Sequence, residues 1–237
     1  MTVVFESGIA GSPQAWFATG RLLESDYQVV IHRRSRGGET LPVIAAQLWD
    51  ALQKAGVPEP YLLVGHSFGA LVVRQFADMF PGETAGILFV DGLPPTTKIA
   101  RAHLLQGVVF ASTAELLADF HVLGPLFPKL ARRLRTVDWA VRELRKLPEG
   151  DRASVFAEWL TPGFYGDLAR TLRALPANLR IACTIPVRVP WISLWSDYED
   201  AEGQYVEGVG HWIQIEKPEV VAAAVRDLHA IIRTRGV

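Results

Sequence analysis

One cysteine, Cys183, occurs in 237 residues. A single thiol excludes an intrachain disulfide and any multi-thiolate zinc or iron–sulfur site, and it suits a reducing compartment. An excess of one charge is also lacking: 24 Lys and Arg stand against 25 Asp and Glu, a formal net charge of −1. No overall field draws the chain to nucleic acid or to an anionic membrane surface, so the expected partner is a small-molecule substrate or a protein. Long apolar runs are missing, and the opening MTVVFESGIAG has neither a basic start nor an apolar stretch long enough for a signal peptide. These absences lead to the expectation of a soluble, cytoplasmic protein with no membrane or nucleic-acid partner.

What is present is apolar content, 49% of residues, sufficient to bury a sizeable core in one domain or in one domain with a large insertion. Short runs rich in β-branched and aromatic residues, at 2–7, 27–33, 61–66, 86–91, 189–196 and 204–209, alternate with stretches of helical spacing. The alternation predicts an α/β fold, a mostly parallel sheet of about six strands flanked by helices. Helices are predicted over 42–56, with Pro42 at the start and Gly56 just past the end, and over 68–80, stopped by Pro81. A third begins near 217 and sets Val221, Val225, Leu228 and Ile232 along one stripe.

Between 93 and 186 the helical spacing continues, with several prolines and no convincing strand. An insertion of that length predicts a helical cap, or lid, on a core made of 1–92 and 187–237. Within it, residues 129–146, KLARRLRTVDWAVRELRK, hold seven basic residues against two acidic ones. That composition suits a solvated amphipathic face; a dock for an anionic substrate handle or a carrier protein is the alternative.

The chemistry is concentrated in Gly65-His66-Ser67-Phe68-Gly69, a G-x-S-x-G sequence with an apolar strand before it and a helical run after it. A chain that turns from strand to helix in so few residues strains its central residue and needs small neighbours. It also lifts the serine hydroxyl above the carboxyl edge of the sheet and points the first helix amides at the same place. A serine hydroxyl needs a base within hydrogen-bond reach to act as a nucleophile. His211 follows the last predicted strand and precedes the last helix, which puts it at that edge. His66 lies inside the turn, His32 ends an earlier strand, His103 and His121 fall in the cap and His229 on the last helix. A tetrahedral oxyanion needs two amide donors, and the amides of Ile9, in the glycine-bearing FESGIAGS after the first strand, and Phe68 are the expected pair.

Together these segments resemble the α/β-hydrolase fold family, in the family's order and over most of the chain outside the cap. SGIAGSPQAW is similar to its oxyanion loop and following tryptophan, here Trp16; HRRSRGGE resembles the turn D-R-x-G-x-G-x-S; GVGHWIQIEKPE closely resembles the histidine loop G-x-G-H-x-x-x-x-E-K-P-E. The resemblance implies a Ser-acid-His hydrolase whose cap shapes the substrate pocket, with no cofactor. The departures are Ser7, where the family usually opens the oxyanion loop with histidine, and Ser35 and Glu39, where glycine and serine are usual. The family's first hairpin has no counterpart here, which implies an open sheet edge that needs a cover or a partner; a homo-oligomer is one way to supply it.

Two positions compete for the acid. Asp91 ends the strand after the serine, a position some family members use, and Glu199, with Asp197 and Asp200 beside it, stands nearer the majority position. Only 12 positions separate Glu199 from His211, where the family places a whole helix, and this compression weighs toward Asp91. The leading expectation is cleavage of an ester, thioester or lactone of a small, hydrophobic substrate through an acyl-serine. A cofactor-free lyase, cyclase or C–C bond hydrolase using the same residues as acid and base is the alternative, and WSDYED followed by YVEGVGH has some likeness to plant hydroxynitrile lyases. A non-catalytic ligand-binding protein of this fold is the third possibility.

Overall fold

A computed structural model describes residues 1–34, 37–119, 142, 144–196 and 203–235. Six strands form one sheet: β1 (Thr2–Glu6), β2 (Gln28–Ile31), β3 (Tyr61–His66), β4 (Thr84–Val90), β5 (Trp191–Trp195) and β6 (Gln204–Tyr205). Their order across the sheet is β2-β1-β3-β4-β5-β6, and every pairing is parallel. A parallel sheet covered on both faces needs apolar side chains on both, and accordingly all five residues of β1 and all six of β3 are buried.

The alternation of side chains along each strand divides the core. Val3 and Phe5, Leu62 and Val64, Leu88 and Val90, and Leu194 form one cluster with Trp16, Leu23 and the apolar stripe of the last helix, Val221, Val225, Leu228 and Ile232. The helices of the sheet-bearing part include α1 (Phe17–Leu23), α2 (Leu41–Lys54), α3 (Phe68–Met79) and the long C-terminal helix Pro218–Arg235. In α2, Leu41, Ile44, Ala45, Leu48 and Leu52 are buried, an i, i+3, i+4 stripe. The Leu41 amide, which the helix itself leaves without an acceptor, donates to Oδ1 of the buried Asn178 at 3.0 Å.

The chain divides into two compact units. The first takes Met1–Ser35, Thr40–Thr97 and Ala177–Val237, and the second takes Arg36–Glu39 and Lys98–Pro176. The expected insertion, 93–186, is thus longer at both ends than the compact unit, and the short segment from the turn resembling D-R-x-G-x-G-x-S was not foreseen as part of it. Between 93 and 186 the described residues form helices and no strand: α4 (Arg101–Asp119), α5 (Glu149–Trp159) and α6 (Pro162–Cys183). Within the second unit the Phe110, Tyr165 and Phe164 rings meet edge to face, and the Gly37 amide donates to Asp167 Oδ1 at 3.1 Å. Burial pushes the Tyr165 hydroxyl up to about 12, so that it stays protonated. Most of the basic stretch 129–146 lies outside the described residues.

The strands end where the sequence predicts to within two residues, except at the last. β6 keeps only two of six expected residues: after the Val206 amide donates to Trp195 O at 2.8 Å, the chain leaves the sheet and turns at Gly208, φ 71°. Val206 and Val209 still pack on the core, so their apolar character reports burial where strand pairing has ended.

Candidate active site

In a parallel sheet the loops leaving the strands' carboxyl ends share one edge, and the singled-out residues lie there. Ser67 stands between β3 and α3 with φ 52° and ψ −119°. A β-carbon on Gly69 would lie 2.4 Å from the Glu6 carbonyl oxygen, and one on Gly65 2.6 Å from the Gly69 oxygen, so packing of the turn on β1 explains Gly69 and packing of β3 on the start of α3 explains Gly65. Three non-glycine residues among those described have positive φ: Ala10, Ser67 and Asp91. They belong to the loop after β1, the serine turn and the end of β4, so backbone strain is concentrated at this edge.

His211 sits in the loop before the short helix α7 (Ile213–Glu216), and the C-terminal helix Pro218–Arg235 is α8. The loop is tied to its own flank: the Gly210 amide donates to Glu216 Oε1 at 2.8 Å, and Lys217 Nζ donates to the Glu207 carbonyl at 2.6 Å. The His211 Nδ1 lies 2.5 Å from Asp91 Oδ2. The other Asp91 oxygen accepts from the Ser196 amide at 2.9 Å and the Ser196 hydroxyl at 3.0 Å. Burial by itself would raise the Asp91 carboxyl, but the hydrogen bonds from His211 and Ser196 outweigh it and hold the group below its ordinary value. Glu199, Asp197 and Asp200 lie outside the described residues.

His66 has a role that reading the motif alone did not reveal. Its Nε2–H donates to the His211 carbonyl at 2.9 Å, and the two rings are 4.6 Å apart at their centroids. The residue next to Ser67 therefore holds the loop that carries His211. Burial first, and then the neighbouring His211, push His66 down to about 3, which keeps it neutral. Ser196 was also missed; its only signal is its position directly after β5. The remaining histidines are engaged elsewhere or lie outside the site: His32 Nδ1 is 2.6 Å from Glu6 Oε2, His229 meets the Tyr27 hydroxyl at 3.0 Å, His103 is on α4, and His121 is outside the described residues.

The loop after β1 lies against the serine turn, since a β-carbon on Gly8 would come 3.0 Å from Ser67 Cβ. Ile9 occupies the turn closed by the Gly11 amide on the Gly8 carbonyl at 3.3 Å, and Phe68 opens α3. Ser7, where the family usually has histidine, accepts from Trp16 Nε1 at 3.1 Å. No group of three or more His, Cys, Asp or Glu among the described residues is arranged to hold a metal ion. Among the same residues no helix is long and apolar enough to cross a membrane.

The model of the alpha/beta hydrolase family matches residues 3–224, and the chain belongs to that family. Among curated proteins, Escherichia coli RutD, named as a carbamate hydrolase, is 36% identical over 99 residues, 38% of this chain. The match spans 37% of the length of that relative. Among solved structures, the epoxide hydrolase CorEH superposes with a TM-score of 0.73 at 18% identity, over 98% of this chain and 92% of the other. A thermophilic esterase from Thermogutta terrifontis superposes with a TM-score of 0.66 at 15% identity, over 98% and 90%. Both likenesses are of fold.

Proposed function

We propose that the protein is a serine hydrolase that cleaves an ester, thioester or lactone through an acyl-serine. The observation that carries this reading is the His211 Nδ1 to Asp91 Oδ2 contact of 2.5 Å, made by an imidazole whose ring lies tilted against that of His66, the residue that precedes Ser67. With Nδ1–H directed at Asp91, Nε2 is the ring nitrogen that takes the Ser67 Oγ proton as the oxygen attacks the carbonyl. Asp91 stays ionised and stabilises the imidazolium, which then gives its proton to the leaving group. The amides of Ile9 and Phe68 hold the oxyanion of the tetrahedral intermediate. His211 next activates a water that attacks the acyl-serine and frees the acid. The neutral His66 ring can lie against the imidazolium without opposing it. The helical unit is the proposed source of substrate selectivity, and the RutD likeness adds carbamates to the substrates worth assaying.

The test is turnover of p-nitrophenyl esters of increasing chain length, with mass spectrometry of the quenched enzyme. The expected result is an acyl adduct on Ser67 and loss of turnover in Ser67→Ala by at least about 10³-fold. Full activity in Ser67→Ala, or turnover of other substrates with no adduct under single-turnover conditions, would refute the acyl-serine route.

A further inference from the structure

Glu6, at the end of β1, is a carboxylate with 1% of its side chain exposed. A buried carboxylate is retained only where its charge is met. Here it is met twice: His32 Nδ1 lies 2.6 Å from Oε2, and an Arg34 terminal nitrogen lies 2.5 Å from Oε1. The same Arg34 nitrogen donates to the Ser7 carbonyl at 2.7 Å, and the second terminal nitrogen donates to the Gly8 carbonyl. The guanidinium carbon lies 5.3 Å from the centroid of the Phe68 ring. One side chain thus touches the backbone of the loop before Ile9 and the side chain of Phe68.

We infer that Arg34 is the positioning residue of the oxyanion hole, an inference that rests on the acyl-serine reading above. A trans peptide is planar, with its C=O and N–H directed oppositely. The Ile9 N–H shares its peptide with the Gly8 carbonyl, so whatever holds that carbonyl aims the Ile9 N–H the other way. Arg34 and the Gly11 amide hold it. The Phe68 N–H shares its peptide with the Ser67 carbonyl, which accepts from Leu93 at 2.9 Å and Ala70 at 3.1 Å. One oxyanion donor is therefore aimed by main-chain bonds alone and the other by a side chain together with a main-chain amide. A hydrogen bond to the carbonyl also polarises the peptide, which strengthens its N–H as a donor. A planar fork can serve Glu6, Ser7 and Gly8 together, while a lysine ammonium is a single point on a flexible stem. Glu6 and His32 keep the fork from rotating.

The experiment compares Arg34→Met, Arg34→Lys and Glu6→Gln with the parent chain on a p-nitrophenyl ester and with an aryl trifluoromethyl ketone, which adds to the serine as a tetrahedral oxyanion. Arg34→Met is expected to lower kcat on the order of 10²-fold, the size of losing one oxyanion donor, with KM within about threefold. Trifluoromethyl ketone affinity should fall in parallel with kcat/KM, and Arg34→Lys and Glu6→Gln should lie between parent and Arg34→Met on the same line. A folded Arg34→Met with parental kcat, a loss in KM alone, or unchanged ketone affinity would overturn the inference. So would unfolding of both Arg34→Met and Glu6→Gln, which would make the cluster a folding element. Absence of Ser67-dependent turnover in the parent would instead sink the acyl-serine reading, and the inference with it.

Discussion

Two loops approach the serine turn, and they are held in different ways. The histidine loop is tied mainly by residues close to it in sequence, with Glu216 on the Gly210 amide and Lys217 on the Glu207 carbonyl. The loop after β1 has the nearby Trp16 on the Ser7 hydroxyl and its own Gly11 amide on the Gly8 carbonyl, but its Ser7 and Gly8 carbonyls are also gripped by Arg34 from beyond β2. A loop that carries its own restraints has a recognisable spelling, and GVGHWIQIEKPE follows the family pattern closely. Where the restraints come from other segments, the spelling can drift while the backbone keeps its place. Replacement of the usual histidine by Ser7 is such a drift: a hydroxyl meets the indole, and the guanidinium of Arg34 engages the carbonyls.

The sharpest break on the histidine side is Asp91→Asn, which keeps the shape of the acid but offers His211 an amide in place of a carboxylate. Its expected effect is a fall in kcat on the order of 10³- to 10⁴-fold at near-parental thermal stability, read by steady-state kinetics. A loss below tenfold would move the acid to another position and weaken the proposed triad.

A smaller effect is expected from His66→Gln, read as stability against pH. An unfolded chain protonates this ring once pH falls below about 6.5, while the folded chain keeps it neutral down to about 3. The unfolded state therefore binds the extra proton. The contribution of the neutral ring to stability is intact above about 6.5 and shrinks as pH falls from there toward 3. Urea unfolding between pH 7 and 4.5 should lose stability less steeply in His66→Gln than in the parent, by up to about 1.4 kcal/mol per pH unit. Parallel slopes would show that the ring is not held neutral.

Ser7→Ala should have the smallest effect on catalysis. It leaves the buried Trp16 N–H without its acceptor, a cost of about 1–2 kcal/mol in unfolding free energy, while kcat stays within about threefold. A hundredfold loss in kcat would mean that the Ser7 hydroxyl, and not Arg34, orients the loop.

The parallel sheet was legible because its strands are short apolar runs with helical spacing between them. The serine turn was legible because a tight strand-to-helix junction restricts composition as well as order. β6 was overextended because β-branched and aromatic residues signal burial whether or not the backbone pairs. Ser196, His66, Glu6 and Arg34 carried no local signal for their contacts: their partners lie 105, 145, 28 and 28 positions away, respectively. Asp91 was favoured over Glu199 as the acid for His211, but with 120 positions between Asp91 and His211 the contact itself could not be read from the sequence.

By itself the sequence determined the fold class, the position of the serine turn and the location of the histidine at the sheet's carboxyl edge. These follow from periodicity, glycine placement and strand-to-helix order, which are local properties of a chain. Tertiary structure alone decided that Asp91, held by Ser196, meets His211, that His66 supports the histidine loop, and that Arg34 grips the loop after β1. Hydrogen bonds and ion pairs depend on ångström distances between segments, and those distances exist only once the strands have packed side by side.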